Sequence, residues 1–316
     1  ELIQGEMVAP ALAHTLQAGR LANNSNSPSI ALQYLTFALD LQDRFNTESY
    51  KYEVLFDLAK ASYLLRNVNE GKSFAKKALT YATNIKERCE VYLLNMKFFE
   101  AYSLFEENTD EGKMALDSLG LPLEFSGNME ENQRKYEKFC SSLPSNLKKV
   151  SKKNSTLWEV DGYTVDVMVN MCTSAHRTDQ NLYTHILLKL GRLMFQNGFT
   201  DASPFILVHL GSLLCNEFNA FKTGGELASL GLELLDSSES DKYHSKTLSV
   251  YHISMGPLKA SYKVLENQLD QGIAYCIDRG DALGAGNLLY AKIRNQLISG
   301  AELSGLLRFC NALLEP

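Results

Sequence analysis

Histidine, cysteine and closely spaced glycine are the residues of this 316-residue chain whose types could carry metal, nucleophilic or phosphate chemistry. The six histidines, His14, His176, His185, His209, His244 and His252, show no H-E-x-x-H pair and no other two-ligand spacing. A metal site needs ligands paired on one helix face or one turn, so these read as packed or surface histidines. The six cysteines, Cys89, Cys140, Cys172, Cys215, Cys276 and Cys310, form no C-x-x-C pair. Thiols scattered in this way argue against zinc and against a disulfide framework, and fit the reducing cytoplasm. Their expected role is buried apolar packing, since no flanking sequence marks a stabilised thiolate. The closest glycine cluster, "GDALGAG" at 280–286, follows a helical pattern and not a strand, so it lacks the context of a dinucleotide loop. There is no Walker A run, no G-x-S-x-G elbow and no kinase H-R-D or D-F-G loop. No metal or cofactor is expected, no catalytic residue is assigned, and the segment is read as non-enzymatic.

Charge narrows the partners. The net charge is −6, yet residues 131–153 carry seven cations, among them Lys148, Lys149, Lys152 and Lys153, against Glu131 and Glu137. That strip is locally +5 and leaves −11 for the rest of the chain. An acidic body argues against nucleic acid, which demands an extended basic face. The strip is either a solvated connector or part of an interaction surface. The longest apolar run, "SPFILVHLGSLLC" at 203–215, falls short of the roughly 20 residues of a membrane span, so no membrane partner is expected. No basic region followed by an apolar stretch opens the chain, and no secretory signal is read. The opening Glu1 suggests an excerpt of a longer chain. "LLDSSESDKYHS" at 234–245 reads as an exposed acidic loop whose serines are open to phosphorylation.

The elements that would position these residues are helices. Ile30, Ala31, Tyr34, Leu35, Ala38 and Leu39 form one stripe at helical spacing, with Ser27 placed as N-cap and Pro28 at the first helical position. The preceding Asn-Ser-Pro break is therefore a turn between two helices. The pattern returns at 52–82, where Tyr52, Leu55, Phe56, Ala59 and Tyr63 precede Phe74, Ala75, Ala78 and Leu79. It returns again at 89–122, with Val91, Asn95, Phe98, Tyr102 and Phe105 placed on one helix and Met114, Ala115 and Leu119 on the next. Aligning Ala31, Gly71 and Asn108 gives spacings of 40 and 37 residues, a period that marks helical solenoids. The aromatics Tyr92, Phe98, Phe99, Tyr102 and Phe105 have two possible roles, a concave peptide groove or the core between repeats.

After Pro122 the periodicity lapses. "SSLPSNLKKVSKKNSTLWEVDGYT" at 141–164 is polar and turn-rich, the candidate boundary between two sub-arrays. "VDGYTVDVMV" permits a hairpin, but Val165, Met168, Val169 and Cys172 also make a helical face, and helix is the expectation. From residue 179 helical patterns resume and run to the end, including a helix expected over 257–281. The chain is thus divided into repeats over 1–123, an irregular basic connector with a helix over 124–160, and a second helical array over 161–316. The expected fold is all-α, with about twelve to fifteen helices and no sheet.

The repeat details resemble tetratricopeptide repeats. In that family a small residue on the first helix lies 12 positions before a small residue on the second, followed by two more at +4 and +7. Gly19, Ala31, Leu35 and Ala38 fit, as do Ala59, Gly71, Ala75 and Ala78, whereas Met96 and Asn108 depart from the pattern. The resemblance implies an alpha-alpha superhelix, a solenoid of helical hairpins. "AGRLANNSNSPSIALQYLTFALDL", "LAKASYLLRNVNEGKSFAKKAL", "GGELASLGLELLD" and "PLKASYKVLENQLDQGIAYCIDRGD" look further like the helical region of very large signalling proteins. Those proteins place a protein-kinase-like domain and an AAA-type ATPase before this region, and a GAF domain and hybrid histidine kinase after it. The resemblance covers nearly the whole chain apart from roughly 124–160 and rests on packing residues. It implies a regulatory, protein-interacting arm in phosphorelay stress signalling, partnered by neighbouring domains or other proteins. Two alternatives stay open: a small-ligand sensor array of an ATPase-type transcription regulator, and a free-standing peptide-binding scaffold.

Overall fold

The computed structural model describes residues 2–123, 129–143, 159–237 and 240–314. Among these residues there are fifteen α-helices and no strand. They fall into two units, Glu1–Glu124 with Thr173–Thr178, and Phe125–Cys172 with Asp179–Pro316. No helix among the described residues is long and apolar enough to cross a membrane.

The first unit holds three helical hairpins: α1 (Leu2–Asn24) with α2 (Pro28–Phe45), α3 (Lys51–Leu64) with α4 (Val68–Tyr81), and α5 (Ile85–Ala101) with α6 (Phe105–Ser118). Each hairpin packs on the next through α2 against α3 and α4 against α5. The Asn-Ser-Pro break is a tight reversal, turned by Asn26 in the left-handed region at φ 53°. Ser27 occupies the N-cap position and Pro28 the first turn, but the Ser27 hydroxyl donates to the Ser25 carbonyl at 3.4 Å instead of capping α2.

Small residues set the crossings. A Cβ on Gly19 would lie 2.6 Å from Leu35, and one on Gly71 would lie 2.6 Å from the Tyr63 ring. The third hairpin crosses at the corresponding pair, because Asn108 Nδ2 donates to the Met96 carbonyl at 2.6 Å. An amide thus bridges two backbones where the other hairpins use a glycine contact. One boundary differs from the sequence reading. α5 stops at Ala101, Ser103 turns the chain at φ 59°, and Phe105 opens α6 instead of ending α5.

The second unit contains α7 (Met129–Ser142), α9 (Gln180–Asn197), α10 (Ser203–Phe218), α11 (Phe221–Asp236), α12 (His244–Val250), α13 (Tyr262–Asp278), α14 (Ala282–Ile298) and α15 (Leu303–Leu314). It also includes α8 (Glu159–Thr178) as far as Cys172. Val165, Val167, Met168, Val169, Met171 and Cys172 are all at most 3% exposed. A helix buried on nearly every side shows alternating valines that imitate a strand, which explains the hairpin signal at this place. α12 continues into a π-helical turn, Tyr251–Met255, and a 3-10 turn, Gly256–Leu258, so α13 begins at Tyr262 and not near 257.

The 12, 4, 3 spacing of the first unit recurs here. Ser212, Gly224, Ala228 and Gly231 keep it at the α10–α11 crossing, and all four are buried. A Cβ on Gly211 would meet the Gly224 carbonyl at 2.6 Å, an approach of backbone to backbone. Gly272, Gly284, Leu288 and Ala291 keep the spacing at α13–α14, where a Cβ on Gly272 would touch Leu288 at 3.1 Å. That contact repeats the pairing of Gly19 with Leu35. Cys172, Thr184, Leu188 and Gly191 follow the same interval and are buried.

Candidate functional site

The aromatic stripe of α5 lies where the second and third hairpins meet. Phe99 is 2% exposed and Tyr92 9%, so both are core residues; Phe98 and Tyr102 keep a partly exposed edge. Phe98 stacks on Tyr63 with ring centroids 4.9 Å apart, and Phe99 meets the same ring edge-on at 6.3 Å. The Tyr63 hydroxyl donates to Asn95 Oδ1 at 2.7 Å, and Asn95 Nδ2 donates to Glu111 Oε1 at 2.5 Å. The Tyr102 hydroxyl donates to the Tyr63 carbonyl. Lys72 Nζ sits 4.7 Å over the Phe99 ring and 3.8 Å from Glu107. Burial pushes the Glu111 carboxyl above its ordinary range, with the Asn95 amide and the Lys72 charge opposing it. Polar groups here hold four helices, α3 to α6, together. Lys148, Lys149, Lys152 and Lys153 lie outside the described residues.

The second unit carries a polar recess of about 440 Å³ lined by Leu235, Asp236, Ser240, Asp241, His244, Tyr275 and Arg279. α11 ends in it, α12 starts beside it, and the last turns of α13 supply Tyr275 and Arg279. Arg279 Nε donates to Asp241 Oδ2 at 2.7 Å, and its guanidinium carbon stands 3.7 Å from the Tyr275 ring centroid. The Tyr275 hydroxyl donates to the other Asp241 oxygen. These two hydrogen bonds hold the Asp241 carboxyl below the usual carboxylate range. The His244 ring meets Tyr275 edge-on at 4.1 Å, and burial lowers its affinity for a proton, leaving a neutral imidazole at pH 7. The wall is tied to α14 through Asp281, which accepts from Ser245 Oγ at 2.7 Å and from the Gly284 N–H at 2.9 Å. The recess thus presents a paired cation and carboxylate beside an imidazole ring.

Sequence reasoning singled out the 234–245 loop but not its pairing with Tyr275 and Arg279, which lie more than 30 residues away on another helix. Loop-to-helix pairs have no periodic signature, so no local signal would have found them. Among the described residues no three His, Cys, Asp or Glu side chains come together as metal ligands. The described chain is an all-α protein built of helical hairpins. No family model, no curated protein and no solved structure matches it.

Proposed function

We propose that the hairpins stack as a tetratricopeptide-like superhelix and that the chain is a non-catalytic regulatory and protein-interaction arm. The observation that supports this reading is the repeated spacing of small residues, from Gly19–Ala31–Leu35–Ala38 to Gly272–Gly284–Leu288–Ala291. Units with one crossing geometry stack through nearest neighbours, which favours a long elastic surface over an enclosed active site. In this reading the parent is a large cytoplasmic ATPase and hybrid histidine kinase of phosphorelay stress signalling, and the arm couples its neighbouring domains. Deleting residues 1–316 from that parent should leave its separate catalytic domains folded while phosphotransfer to the relay protein loses its dependence on the stimulus. A stimulus response that survives the deletion defeats the proposal and leaves the segment a spacer. The recess around Arg279 favours a second reading, a small-ligand sensor. Its test is a melting-temperature screen with small polar metabolites, in which Arg279→Ala should abolish any shift found.

A further inference from the structure

The recess at the ends of α11 and α13 engages its charges unequally. Arg279 is fixed on two sides, for Nε donates to Asp241 Oδ2 at 2.7 Å and the guanidinium carbon stands 3.7 Å from the Tyr275 ring centroid. The Tyr275 hydroxyl donates to the other Asp241 oxygen, so that carboxylate is engaged through both oxygens. The outer nitrogens of the guanidinium, Nη1 and Nη2, have no hydrogen-bond partner among the described residues. Held by its inner nitrogen and by its face, the guanidinium presents that outer edge as a fixed pair of donors, which fits a carboxylate through two parallel hydrogen bonds.

Asp236 has the opposite need. It is the last residue of α11, is exposed, and makes no hydrogen bond or ion pair among the described residues. The C-terminal end of a helix carries partial negative charge, so a carboxylate there favours a cation beside it. Arg279 is turned to Asp241, and the His244 ring is neutral at pH 7 because burial outweighs the pull of Asp241, Asp236 and Asp281 on its proton. Asp236 and the outer edge of Arg279 are therefore two charges of opposite sign, unpaired among the described residues, in one recess of about 440 Å³. That volume lies within the range of small-ligand clefts. A purely anionic ligand would face Asp236 and Asp241 as well as Arg279, and a purely cationic one would face Arg279.

We infer, on the small-ligand reading of this recess, that it binds a free α-amino acid, with the carboxylate on the outer edge of Arg279 and the ammonium at Asp236. A molecule that carries both charges a few bonds apart answers both groups at once. Because these anchors read what every amino acid shares, discrimination between side chains falls to Leu235, Ser240 and the Tyr275 ring, which also line the recess.

Isothermal titration calorimetry of the 316-residue chain with the proteinogenic L-amino acids, spermidine and inorganic phosphate tests this. At least one amino acid should bind with a dissociation constant below about 1 mM, and its methyl ester and its decarboxylated amine should each bind at least about tenfold more weakly. Arg279→Lys keeps the charge but not the paired donors, and Asp236→Asn removes the charge. Each should weaken binding by a similar factor, with far-UV circular dichroism unchanged because both side chains are exposed. Asp40→Asn, at an exposed carboxylate of α2, should bind as the wild type does. Binding of spermidine or phosphate alone, lost in Arg279→Ala, overturns the amino-acid assignment and leaves the small-ligand reading standing. Binding of no amino acid overturns the assignment too, and the small-ligand reading falls with it only if the wider metabolite screen is silent as well. An amino acid that binds Arg279→Lys and Asp236→Asn as tightly as the wild type overturns the assignment equally.

Discussion

The first unit buries acids and the second buries histidines. Asp57 lies 2.7 Å from Arg20 Nε, yet burial outweighs that pairing and holds its carboxyl, like that of Glu111, above the ordinary range. In the second unit, burial first and the neighbouring Lys135 charge second push His185 down to about 4, and burial alone takes His252 to about 4. The Lys135 ammonium stands 2.7 Å from His185 Nδ1, on the side of Glu131. The signs differ. An acid whose folded pKa is raised holds its proton more tightly when folded, so its contribution is present at low pH and is lost as pH rises through the folded pKa. A histidine whose folded pKa is lowered stays neutral in the fold while the unfolded chain takes up a proton near 6.5, so stability falls as pH drops from about 6.5 to about 4. Mild acid should therefore loosen the second unit and spare the first. Acid response depends on which kind of group a core holds, not on net charge.

The largest expected effect separates the units outright. Gly211→Val forces a side chain onto the Gly224 carbonyl and Ala228, and backbone cannot move aside cheaply, so a loss of about 3 kcal/mol is expected in urea denaturation. Amide exchange should then accelerate in α10 and α11 while α3 and α4 stay protected; acceleration in both would mean that the comparison concerns one cooperative body. Ala78→Leu is its counterpart in the first unit, where the added carbons meet side chains such as Leu55 and Val91 that can partly yield, and about 2 kcal/mol is expected. An unchanged midpoint would show that the hairpin register is misassigned. Arg20→Met strips Asp57 of its partner. The Arg20 side chain is 46% exposed, so between about 1 and 2 kcal/mol is expected at pH 7, below the range for fully buried pairs, and the deficit should shrink as Asp57 takes up a proton in acid. The smallest effect at neutral pH belongs to His252→Gln. It should flatten the decline of second-unit stability between pH 6.5 and 4, read from exchange rates, and an unaltered slope would discard His252 as a contributor.

Among the described residues helical character was legible where stripes such as Ala31–Leu35–Ala38 stand against polar faces, and least so in α8, whose buried valines alternate. The register was legible only where the period held. From Gly19 to Ala59 it is forty residues, but α12 and its two following turns fit between the α10–α11 and α13–α14 hairpins and stretch the interval from Ser212 to Gly272 to sixty. The later repeats therefore fell out of phase although Gly272, Gly284, Leu288 and Ala291 carry the same spacing. The break at Ser103 had no glycine or proline to announce it, and Tyr102 and Phe105 continued the apolar pattern across it. The recess around Arg279 was invisible because its parts meet only in three dimensions.

The π-helical turn at Tyr251–Met255 depends on a neighbouring helix. Two carbonyls of this turn are met by α14: Arg294 Nη1 donates to Ile253 O at 2.7 Å and Asn295 Nδ2 to His252 O at 3.2 Å. A π turn leaves carbonyls outside the regular ladder, and donors on a packed neighbour offset that cost. The widened turn and the polar side chains Arg294 and Asn295 therefore form one unit, and removing the two donors should relax the segment toward a regular α-helix.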